Sequence, residues 1–355
     1  MAKVFVGLSG GVDSAVSAAL LKEQGHDVIG AFIKIWRPEF IECPWQKERL
    51  DAMRVAAHLG IPFKEIDLSE EYKTSVIDSM IKDYEAGITP NPDILCNRDI
   101  KFGFFKKWAL SEGAEKIATG HYARIQTIDV GLTKSHMLLR GKDENKDQSY
   151  FLSQLSQEDL GRTLFPVGEY TKSHVRALAE KFKLPVAAKR DSQGLCFVGE
   201  VSMRDFLARY ITLTPGIVLD EKGAPIGEHD GAALYTIGER HGFRITNHSP
   251  HDAPHFVTHI DTSANTISVS KERNNAARTR VNLVSMHWIR PHVQLPARFL
   301  AQARYRETPV AVEIMEHRGE YRATFDTPHL APPGQTLALF DGESLIGSAI
   351  LGTHE

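Results

Sequence analysis

The sequence predicts an α/β protein in three parts: a Rossmann-like parallel-sheet domain, a small mostly-β middle domain and a C-terminal β-barrel. Three observations predict this fold class. Strands alternate with helices as far as Thr119, turn signals separate short apolar runs from about Thr212, and short alternating segments recur from about Arg278. We therefore expect domains at residues 1–211, 212–277 and 278–355.

The N-terminal part has a strand–helix rhythm in which glycines follow the helices. The predicted strands are one that begins at Val4, then Val28–Ile33, Pro62–Leu68 and Lys116–Thr119; the predicted helices are Ala15–Gln24, Met53–Leu59, Glu71–Glu85 and about Lys101–Leu110. Parallel sheets bind ligands beyond the carboxyl ends of their strands. The stretches Ser9–Ser14, Phe32–Ile33 and Thr119–His121 fall at such ends.

The second half of the chain has the pattern of short strands and tight turns. In the middle part, Pro215–Gly216, Lys222–Gly223 and His229–Gly231 are turn signals. The predicted C-terminal segments are Arg298–Arg306, Val310–Met315, Tyr321–Phe325, Gln335–Phe340 and Ser344–Leu351, with hairpin turns at Arg318–Gly319 and Asp341–Gly342. A basic strand at Arg298–Arg306 could face RNA.

Composition is that of an ordinary soluble enzyme of 355 residues, with 42% hydrophobic and 25% charged residues. No apolar run approaches a membrane span and the N-terminus enters a strand directly, so we expect no signal peptide, no membrane contact and a cytoplasmic location. Three cysteines do not make a disulfide framework. The net charge of −3 leaves nucleic-acid binding to a local basic patch.

The stretch Val4–Ser14 passes from an apolar run through Ser9-Gly10-Gly11 into a helical pattern. Asp13 and Ser14 suit a helix start, because their oxygens can accept the first unpaired N–H groups. Paired glycines let the backbone approach a ligand, and the positive end of the helix favours an anion such as a phosphate. The alternative is a tight turn before a surface helix. The spacing is not that of a Walker A motif, and Ser9–Ser14 instead resembles the PP-loop of ATP pyrophosphatases.

Two other stretches carry thiols. Thr89–Asn97 contains two prolines, which predict a rigid, non-helical loop presenting Asp93 and Cys96. In Lys189–Gly199, neighbouring cations could hold Cys196 as a thiolate. For both cysteines a buried, inert thiol is the alternative, and spacing alone cannot pair them.

At these residues the sequence resembles the bacterial tRNA-specific 2-thiouridylases over nearly the whole chain. The matching segments are Gly7–Ser14, Asn91–Asn97, Ala118–Tyr122, Lys146–Phe151, Phe165–Glu169, Asp191–Gly199, Arg304–Arg306 and Pro333–Gln335. The resemblance implies a tRNA-uridine 2-sulfurtransferase that uses ATP to adenylate the C2 oxygen of wobble uridine 34. Sulfur then replaces that oxygen, which yields 2-thiouridine, AMP and pyrophosphate.

The resemblance also implies roles for residues. ATP would be bound by Gly7, Leu8, Ser9, Gly10, Gly11, Val12, Asp13, Ser14, Ile33 and Gly120, with Mg²⁺ accompanying ATP and no protein metal ligands. Cys196 would carry the persulfide, Cys96 would be the nucleophile that forms a transient disulfide with it, and Asp93 would be the general acid/base. A structural role for Asp93, capping the next turn, is the alternative.

Recognition of the anticodon loop is implied for a further set. Asn91, Pro92 and Asp93 would surround the flipped base, and His121, Lys146, Asp147, Gln148, Arg304, Tyr305 and Gln335 would contact tRNA. From the sequence alone, each residue of this tRNA-contacting set could equally be a solvated polar residue without a role in binding. A sulfur-carrier protein or cysteine desulfurase would supply sulfur, and the protein would be a monomer.

Two segments depart from the family pattern. Trp36–Trp45 is unusual and contains Cys43, for which a plain thiol is favoured. Gly242–His255 lacks a glycine-rich run and instead holds His248, His251 and His255, where a solvated loop is favoured over a metal site. Rival functions are a PP-loop ligase that uses ammonia and a non-catalytic tRNA or nucleotide binder.

Overall fold

The structure is a computed structural model that describes residues 1–40, 45–131, 133–190, 201–246 and 252–352. Cys43, the segment Asp191–Gly199 with Cys196, and the residues His248 and His251 lie outside the described ranges.

The first sheet is parallel throughout. Its strands are β1 (Lys3–Gly7), β2 (Asp27–Lys34), β3 (Phe63–Asp67), β4 (Lys116–Ala118) and β7 (Thr163–Leu164), in the order β3-β2-β1-β4-β7. Successive residues of β1 enter opposite cores: Phe5 packs in one hydrophobic cluster, and Val4 and Val6 pack in the other. Both faces of the central strand are therefore buried, which explains its uninterrupted apolar sequence and confirms the predicted Rossmann-like sheet.

Helices cover the two faces. The helices of the described residues are α1 (Val12–Glu23), α2 (Trp45–Leu59), α3 (Ser69–Tyr72), α4 (Ser79–Glu85), α5 (Pro92–Leu95), α6 (Lys106–Ser111), α7 (Gln157–Gly161), α8 (Lys172–Lys181) and α9 (Met203–Leu207), of which α1, α2, α6 and α7 contact strands of this sheet. Lys73–Asp78 is a π-helical segment that joins α3 to α4, and Cys96–Phe105 is a π-helical segment that joins α5 to α6. Short 3₁₀ turns lie at Ser149–Leu152, Ala232–Leu234 and Arg273–Ala276.

The predicted non-helical loop at Thr89–Asn97 is wrong from Pro92 onward. Pro92 is the first residue of α5, a position where proline is tolerated because the N–H that it lacks would have no partner in the helix. The Asn91 side chain caps this helix by accepting a hydrogen bond from the Ile94 N–H at 3.3 Å. Asp93 and Cys96 therefore lie on a helix, and Asn91 rather than Asp93 provides the cap.

The middle part contains a five-stranded sheet. Its strands are β8 (Gly216–Leu219), β9 (Pro225–His229), β10 (Phe243–Ile245), β11 (Phe256–Asp261) and β12 (Thr266–Ser270), in the order β10-β9-β8-β12-β11. The pairings are antiparallel apart from the parallel pair β12–β8. This confirms the small mostly-β middle domain.

The C-terminal part is a closed antiparallel barrel. Its strands are β13 (Arg278–Trp288), β14 (Ala297–Gln302), β15 (Val310–His317), β16 (Glu320–His329), β17 (Thr336–Asp341) and β18 (Ser344–Leu351). The order is β13-β16-β15-β14-β17-β18, and the β13–β18 pairing closes the ring. The predicted basic strand ends at Gln302, so Arg304–Arg306 forms a loop beyond β14 instead.

A hairpin links the first domain to the barrel. β5 (Ala123–Val130) and β6 (Thr133–Arg140) pair with each other, and β6 pairs with β18 through Leu138 and Leu139. Arg124 at the base of the hairpin contacts Glu343 at 2.8 Å. This shared sheet ties the barrel to the domain that carries the glycine loop, and the sequence pattern did not reveal it.

Candidate active site

The glycine loop Ser9–Gly11 joins the carboxyl end of β1 to α1, as predicted. Gly10 has a φ of +71°, and a Cβ there would overlap the carbonyl oxygen of Glu48. The Ser9 N–H donates to the Ser14 hydroxyl at 3.2 Å, and that hydroxyl donates to the Gly11 carbonyl at 3.2 Å. These bonds close the loop tightly over the first turn of α1.

The start of α1 differs from the prediction in one respect. Gly11 is the N-cap and no side chain caps the helix, because the Ser14 hydroxyl is bonded within the loop. The prediction that Asp13 and Ser14 accept the first N–H groups is therefore wrong. Without a side-chain cap, the first-turn N–H groups remain suited to an anion.

Gly120 fixes the position of this first turn. A Cβ on Gly120 would lie 2.7 Å from the Ser14 nitrogen and 2.9 Å from the Asp13 carbonyl carbon. The Ile33 side chain lies on the other side of β1, with its Cδ1 3.9 Å from where a Cβ of Gly7 would be. The carboxyl edge of the sheet therefore carries Gly7, Ile33 and Gly120, which lie at or just beyond the ends of β1, β2 and β4. Their contacts with ATP stay predictions.

Asp13 is engaged by two donors that sequence reasoning missed. The Lys172 ammonium lies 2.7 and 2.8 Å from the two carboxylate oxygens, and the Tyr122 hydroxyl donates to one of them at 2.7 Å. Both donors lie more than a hundred positions from Asp13 in the chain, so spacing could not have paired them with it. Tyr122 belongs to one of the segments that match the family, whereas nothing in the local sequence singles out Lys172.

Lys189 provides a second contact with the glycine loop. Its ammonium donates to the Gly10 carbonyl at 3.1 Å and lies 2.8 Å from the carboxylate of Asp51 on α2. Lys189 precedes the segment that contains Cys196. The chain therefore enters that segment beside the glycine loop.

Cys96 and Asp93 lie on the helix that follows Asn91. Cys96 begins the π-helical segment and is buried, with 7% of its surface exposed. Asp93 is half-buried; burial raises the pKa of its carboxyl group, and the nearby Lys101 only partly offsets this. A carboxyl group with a raised pKa can exchange a proton more readily near neutral pH. The same π-helical segment ends at Phe105, whose ring lies 3.8 Å from where a Cβ of Gly7 would be.

His121 packs against the π-helical segment that begins at Cys96. Its Nδ1 is 2.7 Å from the Thr119 hydroxyl, and its ring packs near Phe102 and Phe165. Burial, and then the charge of Lys101, lower the pKa of His121 well below its ordinary value, so the ring is neutral at physiological pH. With 8% of its surface exposed, this side chain is largely enclosed, and its role in tRNA contact stays a prediction.

The predicted base-binding loop lies where all three parts of the chain meet. The Gln335 amide donates to the Thr89 and Pro90 carbonyls at 2.9 and 3.4 Å. The Thr89 hydroxyl is 3.0 Å from the hydroxyl of Thr236 in the middle part. Asn91, Pro92 and Asp93 follow directly, so residues from the C-terminal and middle parts of the chain hold the approach to Cys96.

Arg304 and Tyr305 border the same junction. Arg304 donates to the Ile237 carbonyl at 3.4 Å, and burial lowers the pKa of its guanidinium group. The Tyr305 ring lies 4.5 Å from that of Phe151, and the Arg306 guanidinium lies 5.2 Å from the centre of the Tyr305 ring. An aromatic pair flanked by arginines is suited to stacking on a nucleobase.

Lys146, Asp147 and Gln148 have different environments. The buried Asp147 carboxylate accepts bonds from Arg140, from the Gly141 N–H and from both the N–H and the hydroxyl of Ser149. Gln148 bonds to the Tyr122 backbone through its side chain and its N–H. These contacts indicate that Asp147 and Gln148 shape the loop, and the contact of Lys146 with tRNA stays a prediction.

Within the described ranges no three His, Cys, Asp or Glu side chains are grouped so that they could hold a metal ion. In those same ranges no helix has the length and apolar character needed to cross a bilayer.

Three family models match consecutive parts of the chain, and curated relatives match it over its whole length. Residues 2–200 match the family model described as "tRNA methyl transferase HUP domain", residues 204–271 match the "tRNA methyl transferase PRC-barrel domain", and residues 278–351 match the "Aminomethyltransferase beta-barrel domain". The chain is 44% identical to the tRNA-specific 2-thiouridylase MnmA of Akkermansia muciniphila, with 100% of both chains covered. It is 41% identical to the protein of that name from Streptococcus sanguinis, covering 98% of this chain and 95% of the relative.

Proposed function

The chain belongs to the tRNA-specific 2-thiouridylase family, and from this premise we propose that it replaces the C2 oxygen of wobble uridine 34 in tRNA with sulfur at the expense of ATP. One observation carries the proposal. The helix that presents Asp93 and Cys96 continues to Phe105, which packs beside Gly7, the last residue of β1 before the glycine loop. A nucleotide on the loop that follows Gly7 and a thiol on this helix would therefore share the carboxyl edge of one sheet.

ATP is the first substrate. Its phosphates would bind the N–H groups of Ser9–Ser14, with adenine near Ile33 and Gly120. The residues fit an anion because no side chain caps α1, and glycine is needed for the shape of the site, since a Cβ on Gly10 would overlap the Glu48 carbonyl and a Cβ on Gly120 would crowd the first turn of α1. Mg²⁺ would accompany ATP and offset part of the phosphate charge. We propose that this ion is bound to the nucleotide and has no ligands from the protein.

Adenylation makes the uracil oxygen a leaving group. The C2 oxygen attacks the α-phosphorus, a bond to AMP forms, and the bond to pyrophosphate breaks. Asp93, whose pKa is raised by burial, is placed to hold or release the proton that moves on the uracil ring. As the oxygen attacks, the ionised Asp93 carboxylate would accept the N3 proton of the uracil ring. Burial favours the protonated form, which would return this proton to the ring once sulfur has replaced the oxygen.

Sulfur transfer completes the exchange. The terminal sulfur of a Cys196 persulfide bonds to C2, directly or as released sulfide, and the C2–O bond breaks as AMP leaves. The Cys96 sulfur bonds to the Cys196 sulfur, so the persulfide S–S bond breaks and a Cys96–Cys196 disulfide forms. A thiol reductant then returns both cysteines to thiols, and a sulfur-carrier protein or cysteine desulfurase reloads Cys196. Cys196 lies outside the described residues, so its role rests on the family alone.

Recognition of tRNA would use the junction of the three parts. Asn91, Pro92 and Asp93 would receive the flipped base, which an anticodon loop releases at modest cost. Tyr305, next to Phe151, would stack on a neighbouring base, and Arg304, Lys146 and Gln335 would orient the loop. His121, Asp147 and Gln148 would support the surface from beneath. We also propose that the chain acts as a monomer in the cytoplasm.

The test is reconstitution with the purified chain, a substrate tRNA, ATP, Mg²⁺ and a persulfide donor. We expect ATP- and donor-dependent formation of 2-thiouridine, together with AMP and pyrophosphate, as measured by nucleoside mass spectrometry. A methylated nucleoside, or an amino group at C2 after addition of ammonia, would refute thiolation. Binding of tRNA without any change in nucleoside mass would indicate a non-catalytic binder.

A further inference from the structure

A negatively charged side chain stands inside the proposed phosphate site. Asp13 is the second residue of α1, and 32% of its side chain remains exposed. A carboxylate in the first turn suits an empty helix N-terminus, but it repels a polyphosphate that binds the same N–H groups. An offset of the Asp13 charge would therefore strengthen the binding of ATP at the glycine loop.

Lys172 provides the offsetting charge. Its ammonium contacts both carboxylate oxygens at 2.7 and 2.8 Å, and only 14% of its side chain is exposed. The contact is shielded from solvent more than a typical surface ion pair, so screening weakens it less. Tyr122 adds a neutral donor at 2.7 Å on the same carboxylate.

The position of Lys172 is fixed by its backbone. Lys172 is the first residue of α8, and its N–H donates to the Asp143 carboxylate at 2.8 Å. The apolar face of α8 packs into the same core cluster as α1 through Val175, Leu178 and Ala179. The ammonium is therefore delivered to the loop by a packed helix.

Two other nearby cations have carboxylate partners elsewhere. Lys189 reaches the loop, but its charge is paired with Asp51 at 2.8 Å. Arg37, on the chain after β2, is paired with Glu48 at 3.1 Å. Of these three cations, Lys172 is the one that forms its ion pair with a carboxylate of Ser9–Ser14.

We propose that Lys172 is a positioning residue for nucleotide phosphates, which acts by neutralising Asp13 so that the glycine loop accepts ATP. This inference rests on the proposed use of ATP. The Lys172–Asp13 salt bridge would thus lower the repulsion between the glycine loop and the phosphates of a bound nucleotide. The affinity for a nucleoside without phosphates should not depend on this salt bridge, since the repulsion acts only on the phosphate groups.

The experiment measures binding of ATP and of adenosine to the full chain by calorimetry. In Lys172→Met we expect ATP affinity to fall about ten- to a hundredfold, because an uncompensated charge a few ångströms from several phosphate charges costs that much at the effective dielectric constant of a protein surface. Adenosine affinity should stay within about twofold. In the double variant Asp13→Asn/Lys172→Met, ATP affinity should return to within about threefold of Asp13→Asn alone.

Lys181→Met is the matched control. Lys181 lies on the same helix, is 64% exposed and pairs with Glu23 at 3.5 Å, so its loss should change neither affinity. Equal losses for ATP and adenosine in Lys172→Met would show a purely structural role and overturn the proposal. A loss for ATP that Asp13→Asn does not relieve would show direct phosphate contact and would also overturn it. If the unmodified chain bound adenosine but not ATP, or neither, the proposed function itself would fail.

Discussion

Replacement of Gly120 by alanine tests the phosphate site through a single methyl group. The new Cβ would lie 2.7 Å from the Ser14 nitrogen, 2.9 Å from the Asp13 carbonyl carbon and 3.0 Å from the Asp13 Cβ. Two of these atoms are backbone atoms of the first turn of α1, which cannot rotate away. To reach ordinary contact, that turn must move by about 0.7 Å, a typical overpacking strain of about 1–3 kcal/mol.

The displacement falls on the N–H groups proposed to bind phosphate. Hydrogen bonds to a charged group lose most of their strength when they lengthen beyond about 3.5 Å, and each is worth about 1.5–3 kcal/mol. We therefore expect Gly120→Ala to weaken ATP binding about ten- to a hundredfold, measured by calorimetry, and to lower the melting temperature modestly.

Gly342→Ala is the control for a generic glycine replacement. Gly342 lies in the turn between β17 and β18 with a φ of +59°, and beyond its chain neighbours no atom of the described residues comes within 4 Å of the position that a Cβ would take. Its replacement should cost about 1 kcal/mol of stability through backbone strain and leave ATP affinity unchanged. A folded Gly120→Ala variant that bound ATP with unchanged affinity would refute the placement of phosphates on the first turn of α1.

Three further predictions concern the thiolation site. Asp93→Asn should abolish thiolation and raise the melting temperature at pH 7. Burial raises the pKa of Asp93 in the folded state above the ordinary 3.8, so the ionised carboxyl group destabilises the fold at neutral pH. The increase in melting temperature should vanish below about pH 3.8, where the carboxyl group is protonated in both the folded and the unfolded state. Unchanged or lower stability at pH 7 would contradict this sign. Gln335→Leu removes the bonds to the Thr89 and Pro90 carbonyls and should lower kcat/KM for tRNA about tenfold while ATP affinity is kept; equal losses for both substrates would refute the assignment. Cys196→Ser should stop sulfur incorporation but spare ATP binding, and continued 2-thiouridine formation would exclude the persulfide role.

Local sequence patterns predicted the parts of the fold that depend on short-range physics. The glycine loop, the alternation of strands and helices and the hairpin turn at Arg318–Gly319 follow from residues close in the chain. The error at Pro92 arose because a proline that breaks a helix interior is also a favoured first helical residue, and only the cap from Asn91 decides between the two.

Long-range pairings were beyond the sequence pattern. The β5–β6 hairpin owes its place to β18, about two hundred residues away, and no local signal encodes that register. The Lys172–Asp13 and Gln335–Thr89 contacts are of the same kind. The family resemblance supplied candidate roles for residues and the transient Cys96–Cys196 pairing, but it gave no partner for Asp13, so the salt bridge at the glycine loop emerged only from the structure.

The central claim is that ATP activates the C2 oxygen of uridine 34 for replacement by sulfur. The most direct measurement uses tRNA that carries a heavy-oxygen label at that position, and follows the label by mass spectrometry of the products. The account predicts one labelled oxygen in each AMP and none in pyrophosphate, in step with 2-thiouridine formation. Unlabelled AMP alongside 2-thiouridine would contradict it.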